Sequence, residues 1–449
     1  MSAHRRFTRG AILVAGLSLV ASAALPARAL AQTPAISEDQ LARGIDRATI
    51  VQAVLARSPR LKAQVERVRA MRSMSSAEGR LPDPEVMFQV WQVPFQHPAS
   101  FSDSQMIMGG VTQRFPAPGS LGARAESKDH AASAEEAMLA DKARDVVRDA
   151  EHAHADLAEA TARHGAHVNH RGVVEKIVHA VEARQAAGGT LDDVVQAQLE
   201  LARLDADLAT ESAAIERGKT HLNALLARPL DAPLGPVQIT EPMTVTIAPA
   251  ALVDMAERVR PDLRAADARV ASENAALEAA RHEATLPSFA VGAYYFAPTT
   301  LMPFNGYGLS ASMTLPWVWG GSGRRQESEE ALTSAARHDV HEAHLDISVD
   351  VGTAAASARA AGERLSVLRN LALPAARRAL DVSLSSYESG AGGLLGVLRA
   401  RQAVVDTEMD IVMARALLDH ALADLDWAVG MPLPRTPLLD DTEARHEHH

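Results

Sequence analysis

Residues Leu199 to Leu230 read LELARLDADLATESAAIERGKTHLNALLARPL, and Gln402 to Leu433 read QAVVDTEMDIVMARALLDHALADLDWAVGMPL. The two segments align without a gap at a constant offset of 203 and close on Arg228-Pro229-Leu230 and Met431-Pro432-Leu433. Earlier landmarks follow the same order. Ser58-Pro59-Arg60-Leu61 matches Arg260-Pro261-Asp262-Leu263, Leu81-Pro82 matches Leu286-Pro287, and Phe115-Pro116 matches Leu315-Pro316. The offset drifts by only a few residues between them, as loop insertions between two copies of one unit would cause, so the chain reads as a duplication.

Each copy begins with a helix beside the proline landmark that ends before the Leu-Pro pair, and two strands follow. In the second copy Phe289, Val291, Ala293 and Tyr295 alternate with Ser288, Ala290, Gly292 and Tyr294. Tyr307, Leu309, Ala311, Met313 and Leu315 alternate with Gly306, Gly308, Ser310, Ser312 and Thr314. A period of two with one apolar face and one small or polar face, over about 9–11 residues, is the signature of a membrane β-strand facing lipid on one side and a lumen on the other. On pattern alone a soluble four-stranded sheet shares this signature. Tyr307, Leu309 and Met313 are the candidate lipid-facing residues.

After a turn rich in glycine and proline, each copy continues as a helical rod. Gly122 to Ala187, if unbroken at 1.5 Å per residue, is about 100 Å long, far more than a compact domain uses. Its seam Val146, Ala150, Ala153, Leu157 and Ala160 steps by four and three, the heptad pattern of helix packed on helix. The returning rod carries Leu201, Leu204, Leu208, Ile215, Leu222 and Leu225. Glycines break the rods at Gly188-Gly189 in the first copy and at Gly390, Gly392 and Gly393 in the second, which makes each copy an antiparallel hairpin with its tip there. Pro374 lies inside the second outgoing rod and is expected to kink or interrupt it.

These landmarks divide the chain into an export signal over 1–31 and a first repeat over 32–230, with strands at about 85–95 and 104–115 and a hairpin at about 122–227. A linker over 231–250 holds the β-like run Val237-Gln238-Ile239-Thr240. The second repeat covers 251–433, with strands at about 288–297 and 306–316 and a hairpin at about 323–430, and a solvated, histidine-containing tail covers 434–449. The signal is read from Arg5, Arg6 and Arg9 before an apolar run from Ala11 to Leu25 that closes on Ala29-Leu30-Ala31; the run is too short for a spanning helix.

Composition narrows the function classes. The 449 residues are 47% apolar and only 4% aromatic, with 56 acids against 45 bases and a net charge of −11. That balance opposes nucleic-acid binding, and the alanine-rich, aromatic-poor content suits long helices packed through small side chains. With no cysteine there is no disulfide, no thiolate metal site and no N-terminal lipid-bearing cysteine. No Gly-x-Ser-x-Gly elbow, His-Glu-x-x-His helix or phosphate-binding glycine loop is found, so neither an enzyme nor a cofactor is expected.

The arrangement resembles the TolC family of outer-membrane factors over nearly the whole chain beyond the signal. The specific pieces are the doubled proline-leucine starts, Thr112-Gln113-Arg114-Phe115-Pro116 with Gly122-Ala123-Arg124, Leu315-Pro316 with Gly320-Gly321-Ser322-Gly323-Arg324-Arg325, and Tyr387-Glu388-Ser389-Gly390 followed by Leu394-Leu395-Gly396-Val397-Leu398. The resemblance implies a mainly α chain with a membrane β-barrel portion. In such a homotrimer, four strands per chain close a twelve-stranded barrel in the outer membrane, and the helices continue it as a periplasmic tunnel. It implies a passive exit duct of a tripartite efflux pump, docked through its hairpin tips to a periplasmic adaptor and driven by an inner-membrane RND-type or ABC pump. A type I secretion or drug-efflux duct shares this fold. A periplasmic coiled-coil adaptor shares the hairpins, but adaptors carry one hairpin and no lipid-facing strands.

Two details depart from the family. The missing N-terminal cysteine leaves anchoring to the barrel. The acid often found in the leucine-rich turn is replaced by Gly396, while its repeat counterpart is Asp193, beside Asp192. In a trimer that pair becomes a ring of six carboxylates at a periplasmic aperture, the kind of ring that selects cations; it is equally the pair of acids that a helix start after Thr190 favours. Of the 18 histidines, His164, His167 and His170 recur at intervals of three, as do His338, His341 and His344. His164, His167, His341 and His344 are the candidate metal ligands, but a spacing of three splays the rings and no stable site is expected. This histidine content points toward the cobalt-zinc-cadmium and copper-silver exporters of the family, and hence to heavy-metal cations as cargo.

Overall fold

The computed structural model describes residues 36–438 apart from 187 and 189. The expected export signal, Gly189 and the tail beyond Leu438 lie outside the described residues. Helix α1 (Glu38–Arg43) opens with a capping box in which Ser37 and Gln40 bond each other's backbone amides. It leads through α2 (Arg47–Arg57) into α3 (Pro59–Glu78). The corresponding helices after the midpoint are α6 (Pro249–Val259) and α7 (Pro261–Thr285). Both α3 and α7 start on a proline, where the absent N–H is one the helix could not have used and the ring presets the helical φ.

Strands β1 (Glu85–Trp91), β2 (Met106–Phe115), β4 (Phe289–Ala297) and β5 (Gly306–Met313) form one antiparallel sheet in the order β1-β2-β4-β5. Two hairpins far apart in sequence are therefore joined along β2 and β4, with Val111 opposite Ala293 and Phe115 opposite Phe289. The first strand stops at Trp91, short of the expected 95, because Gln92 takes a positive φ of 54° and Pro94 follows. The last stops at Met313, ahead of Pro316. Strands β1 and β5 are the two edges, each with one unpaired side.

The rods are α4 (Ser120–Ala186, 67 residues) returning as α5 (Leu191–Leu225), and α8 (Gly321–Val367) continuing as α9 (Leu373–Glu388) and returning as α10 (Leu394–Val429). The heptad seam of α4 is buried throughout: Val146, Ala150, Ala153 and Leu157 pack in one core with Leu222 and Leu226. In the second hairpin Ile347, Val351, Ala354, Ala358 and Leu365 of α8 pack with Ala414, Leu418, Leu422 and Leu425 of α10. Alanine at these positions lets helix axes approach closely, which is why so few aromatic residues suffice.

Ahead of Pro374 the regular α-helix is interrupted, as its position led us to expect. The five residues Leu368–Ala372 before it form a π turn, and the helix resumes at once. Proline cannot donate to the carbonyl four residues back and its ring collides with that group. A wider turn accommodates both conflicts. The linker also differs from expectation. Val237 makes only an isolated parallel bridge with Ile45, whose N–H bonds the Pro236 carbonyl, and the two-residue strand β3 is Met243–Thr244 instead. It pairs with β6 (Thr436–Pro437), so the start of the expected solvated tail is held against the linker. Pro236 and Pro242 bracket the 237–240 run and restrict the amides available for a ladder.

One buried charge ties together the helices of the second half of the chain. Arg260, 3% exposed, bonds Asp262, Asp350 of α8 at 2.8 Å and the Ala428 carbonyl of α10 at 3.2 Å. Its guanidinium carbon lies 5.6 Å from the Trp427 ring centre, and the Trp427 indole N–H donates to Asp145 of α4 at 2.8 Å. Burial alone would weaken the Arg260 charge, yet its carboxylate partners hold its pKa above the usual arginine value.

Candidate functional site

The strand registers put whole apolar rows on one face of the sheet. Val86, Val111, Ala293 and Leu309 lie side by side across the four strands, and Phe88, Gly109, Tyr295 and Tyr307 form the next row. In this chain Tyr307 is 86% and Leu309 78% exposed, and Val86 and Phe88 are equally open. The other face carries the polar groups, beside Met87, Met108 and Phe296: the Tyr294 hydroxyl lies 3.1 Å from the Thr112 hydroxyl and accepts from Ser310 at 3.0 Å. So large an uncovered apolar surface demands an apolar medium or a partner. No described helix is long and apolar enough to cross a membrane.

Aromatic residues bracket this surface. Tyr295 and Tyr307 stand toward the loop end of the sheet, while Phe115 and Phe289 stand where the strands meet the rods, followed by Trp317 and Trp319, which sequence reasoning passed over. Amphipathic rings at both ends of an apolar band are how a membrane strand meets the two interfaces. Trp317-Val318-Trp319 directly after the strand-ending Leu315-Pro316 was the available signal.

At the opposite end of the molecule lie the hairpin tips. Gly188 (φ 104°) and Gly390 (φ 78°) adopt the left-handed conformation that closes each rod, a conformation side-chain-bearing residues reach only with strain. The Gly392 amide donates to the Ser386 carbonyl at 2.9 Å, and Gly393 is the extended residue before α10. Asp192 and Asp193 occupy the first turn of α5. Asp192 is exposed and accepts from Gln196 at 2.7 Å, Asp193 is half-buried, and the Thr190 side chain makes no capping bond.

The tips of the two hairpins also touch, which no sequence pattern disclosed. Arg184, in the last turn of α4, donates to the Tyr387 hydroxyl of α9 at 2.5 Å and stacks 5.1 Å from its ring centre. Beneath it Val181, Val194 and Leu394 form a small buried cluster with Tyr387 and Leu398 against it. One polar contact over a few apolar side chains is a weak junction, suited to being opened.

The candidate metal ligands are not brought together. His167 is buried with Nδ1 unpartnered, His164 is half-buried, His341 is exposed, and His344 Nδ1 stands 3.4 Å from Glu257. Among the described residues no group of three or more histidines and acids is placed to hold a metal ion.

Residues 252–431 match the sequence model of the outer membrane efflux protein family. No curated protein matches the chain in sequence. Among solved structures, the outer-membrane channel OprN is similar at a TM-score of 0.71 and 19% identity, covering 91% of this chain and 96% of that one. The outer membrane protein VceC of Vibrio cholerae is similar at 0.70 and 20%, covering 86% and 97%. CusC, whose structures concern folding and transmembrane channel formation, is similar at 0.73 and 15%, covering 86% and 92%. At these identities the likeness is one of fold, and it spans nearly the whole of each channel.

Proposed function

From a chain that carries the outer membrane efflux protein pattern in residues 252–431 and the fold of the TolC-type channels throughout, we propose a passive outer-membrane exit duct that works as a homotrimer. The observation that carries this reading is the four-stranded sheet, apolar and uncovered on one face, with the polar groups on the other, and open at both edges. Unpaired strand edges cannot lie in hydrocarbon, so one chain cannot span a bilayer by itself. Three copies, joined β1 to β5, would close a twelve-stranded barrel with Thr112, Tyr294 and Ser310 toward the lumen and Tyr307, Leu309 and Met313 toward lipid. The rods would then extend the lumen across the periplasm. We read the two units as copies of one ancestral repeat and the Arg184–Tyr387 junction as part of the closed periplasmic end.

The duct needs no chemistry of its own. Its energy would come from an inner-membrane RND-type or ABC pump through a periplasmic adaptor seated on the hairpin tips. The cargo is assigned to small solutes, with heavy-metal cations the first class to test. The decisive experiment is extraction from outer-membrane vesicles: a heat-modifiable trimer that conducts ions in planar bilayers is expected, and a monomer in the soluble periplasmic fraction would overturn the reading. Metal and drug sensitivity of a deletion strain would then separate the cargo classes.

A further inference from the structure

Rods α4 and α10 belong to different hairpins and run antiparallel along one seam. Three histidine–carboxylate pairs cross it in register: His152 Nε2 lies 3.1 Å from Asp424, His420 Nε2 lies 2.9 Å from Asp156, and His170 Nε2 lies 3.0 Å from Glu408. The first two are reciprocal, each rod giving one imidazole and one carboxylate, and the two rings lie 4.5 Å apart between their centres. An arginine or lysine there would hold its charge at any physiological pH, whereas imidazole holds it only in acid. We propose that this crossed quartet is a pH-sensitive clamp, fastening the first hairpin to the second in acid and releasing α4 from α10 as the medium turns neutral to alkaline.

The surroundings support a clamp confined to these four residues. The 3.1 Å charge contact with Asp424 holds the His152 pKa above the ordinary imidazole value of 6.5, against partial burial and the nearby Arg148 charge. The bond from His420 holds Asp156 below its ordinary 3.8, helped by the His152 and His221 imidazoles. Asp424 is also lowered: burial acts the other way but is outweighed by His152, Arg148 and His420. His154, on the adjacent face among Ile45, Asp46, Arg47 and Asp419, is pushed down by burial. His170, lower on the seam, is likewise pushed down by burial, with Arg401 and His167 opposing its charge, and its partner Glu408 is shared with Arg377 at 3.1 Å, a cation that does not titrate in this range, which sets that pair apart from the clamp.

The sign follows. A raised imidazole pKa contributes stability that is complete below 6.5 and is lost as pH climbs through the raised value; the lowered carboxylates keep the pairs charged down to below 3.8. The clamp is thus engaged in mild acid and open above neutrality. An envelope duct meets this range directly, because external acid reaches any lumen continuous with the medium.

The test is amide hydrogen exchange of the purified full chain in detergent, expressed as protection factors over 145–160 and 415–428 at about pH 5.5 and about pH 8.5, either side of the imidazole range. Protection should fall by roughly threefold at the higher pH, the effect of a partly exposed ion pair. H152Q/H420Q should abolish that fall. So should D156N/D424N, which leaves both imidazoles in place and keeps the proposal testable if the first variant folds poorly. H170Q should retain it. A fall of the same size in both double variants, or no fall in the unaltered chain, overturns the clamp without bearing on whether the chain conducts.

Discussion

Placing an arginine at Leu309 asks the sharpest question of the barrel. Strands β4 and β5 hold 9 and 8 residues, which at about 3.4 Å per residue and a tilt of roughly 40° span about 20–25 Å, close to the apolar height of a membrane barrel. Leu309 lies mid-strand, and its row crosses Ala293 at the middle of β4, so it belongs near the midplane. Leu309→Arg should therefore cost about 2–4 kcal/mol per chain, or about 6–12 kcal/mol in a trimer. Met313, opposite Phe289 at the end next to the rods, lies near an interface, where arginine costs only about 0–1 kcal/mol. Ser310→Arg points toward Tyr294 and the lumen and should be tolerated. The assay is the yield of heat-modifiable trimer in outer-membrane vesicles at equal expression. The expected order is Ser310→Arg and Met313→Arg near the unaltered chain, with Leu309→Arg strongly depleted. Equal yields for Leu309→Arg and Ser310→Arg would refute the membrane face.

Three further outcomes are expected. Tyr387→Phe keeps the ring and removes the hydroxyl that accepts from Arg184, so trimers should assemble normally but conduct more at rest in planar bilayers; an unchanged resting conductance would remove this contact from the closed end. Asp192→Asn with Asp193→Asn should abolish cation preference and block by divalent ions added from the periplasmic side, with helix content unchanged. Gly188→Val or Gly390→Val forces a β-branched residue into a left-handed turn, a local strain of about 1–3 kcal/mol. Trimers should persist in the membrane while export, read as sensitivity of the strain, is lost, and normal pumping would place adaptor docking elsewhere.

Much of the architecture was legible because its signals are local. Alternation in Phe289 to Tyr295 declares a strand with two unlike faces, and the four-three spacing from Val146 to Ala160 declares a rod with one buried seam. Both depend only on the geometry of one element, and the doubled landmarks supplied the element order twice. The candidate site was less legible. Gly188 and Gly390 announced the turns, but their sequence said nothing of Arg184 meeting Tyr387. The spaced histidines were weighed as one another's partners, whereas the structure sets His170 against Glu408 of α10 and His344 against Glu257 of α6.

The same division holds at Pro374 and Val237. Proline marks a defect within its own helix, and the structure places one wide turn directly before it. A β-like run becomes a ladder only where another chain segment offers free amides, and that partner was available to Met243–Thr244 in Thr436–Pro437. The sequence by itself determined the elements and their faces, because periodicity and breakers act within one helix or strand. Which side chains meet across α4 and α10, and so which histidines face which acids, was decided only by tertiary structure. Two long rods can slide by a turn at little local cost, and their register is set at a distance by contacts such as Arg144 with the Trp427 carbonyl and Trp427 with Asp145.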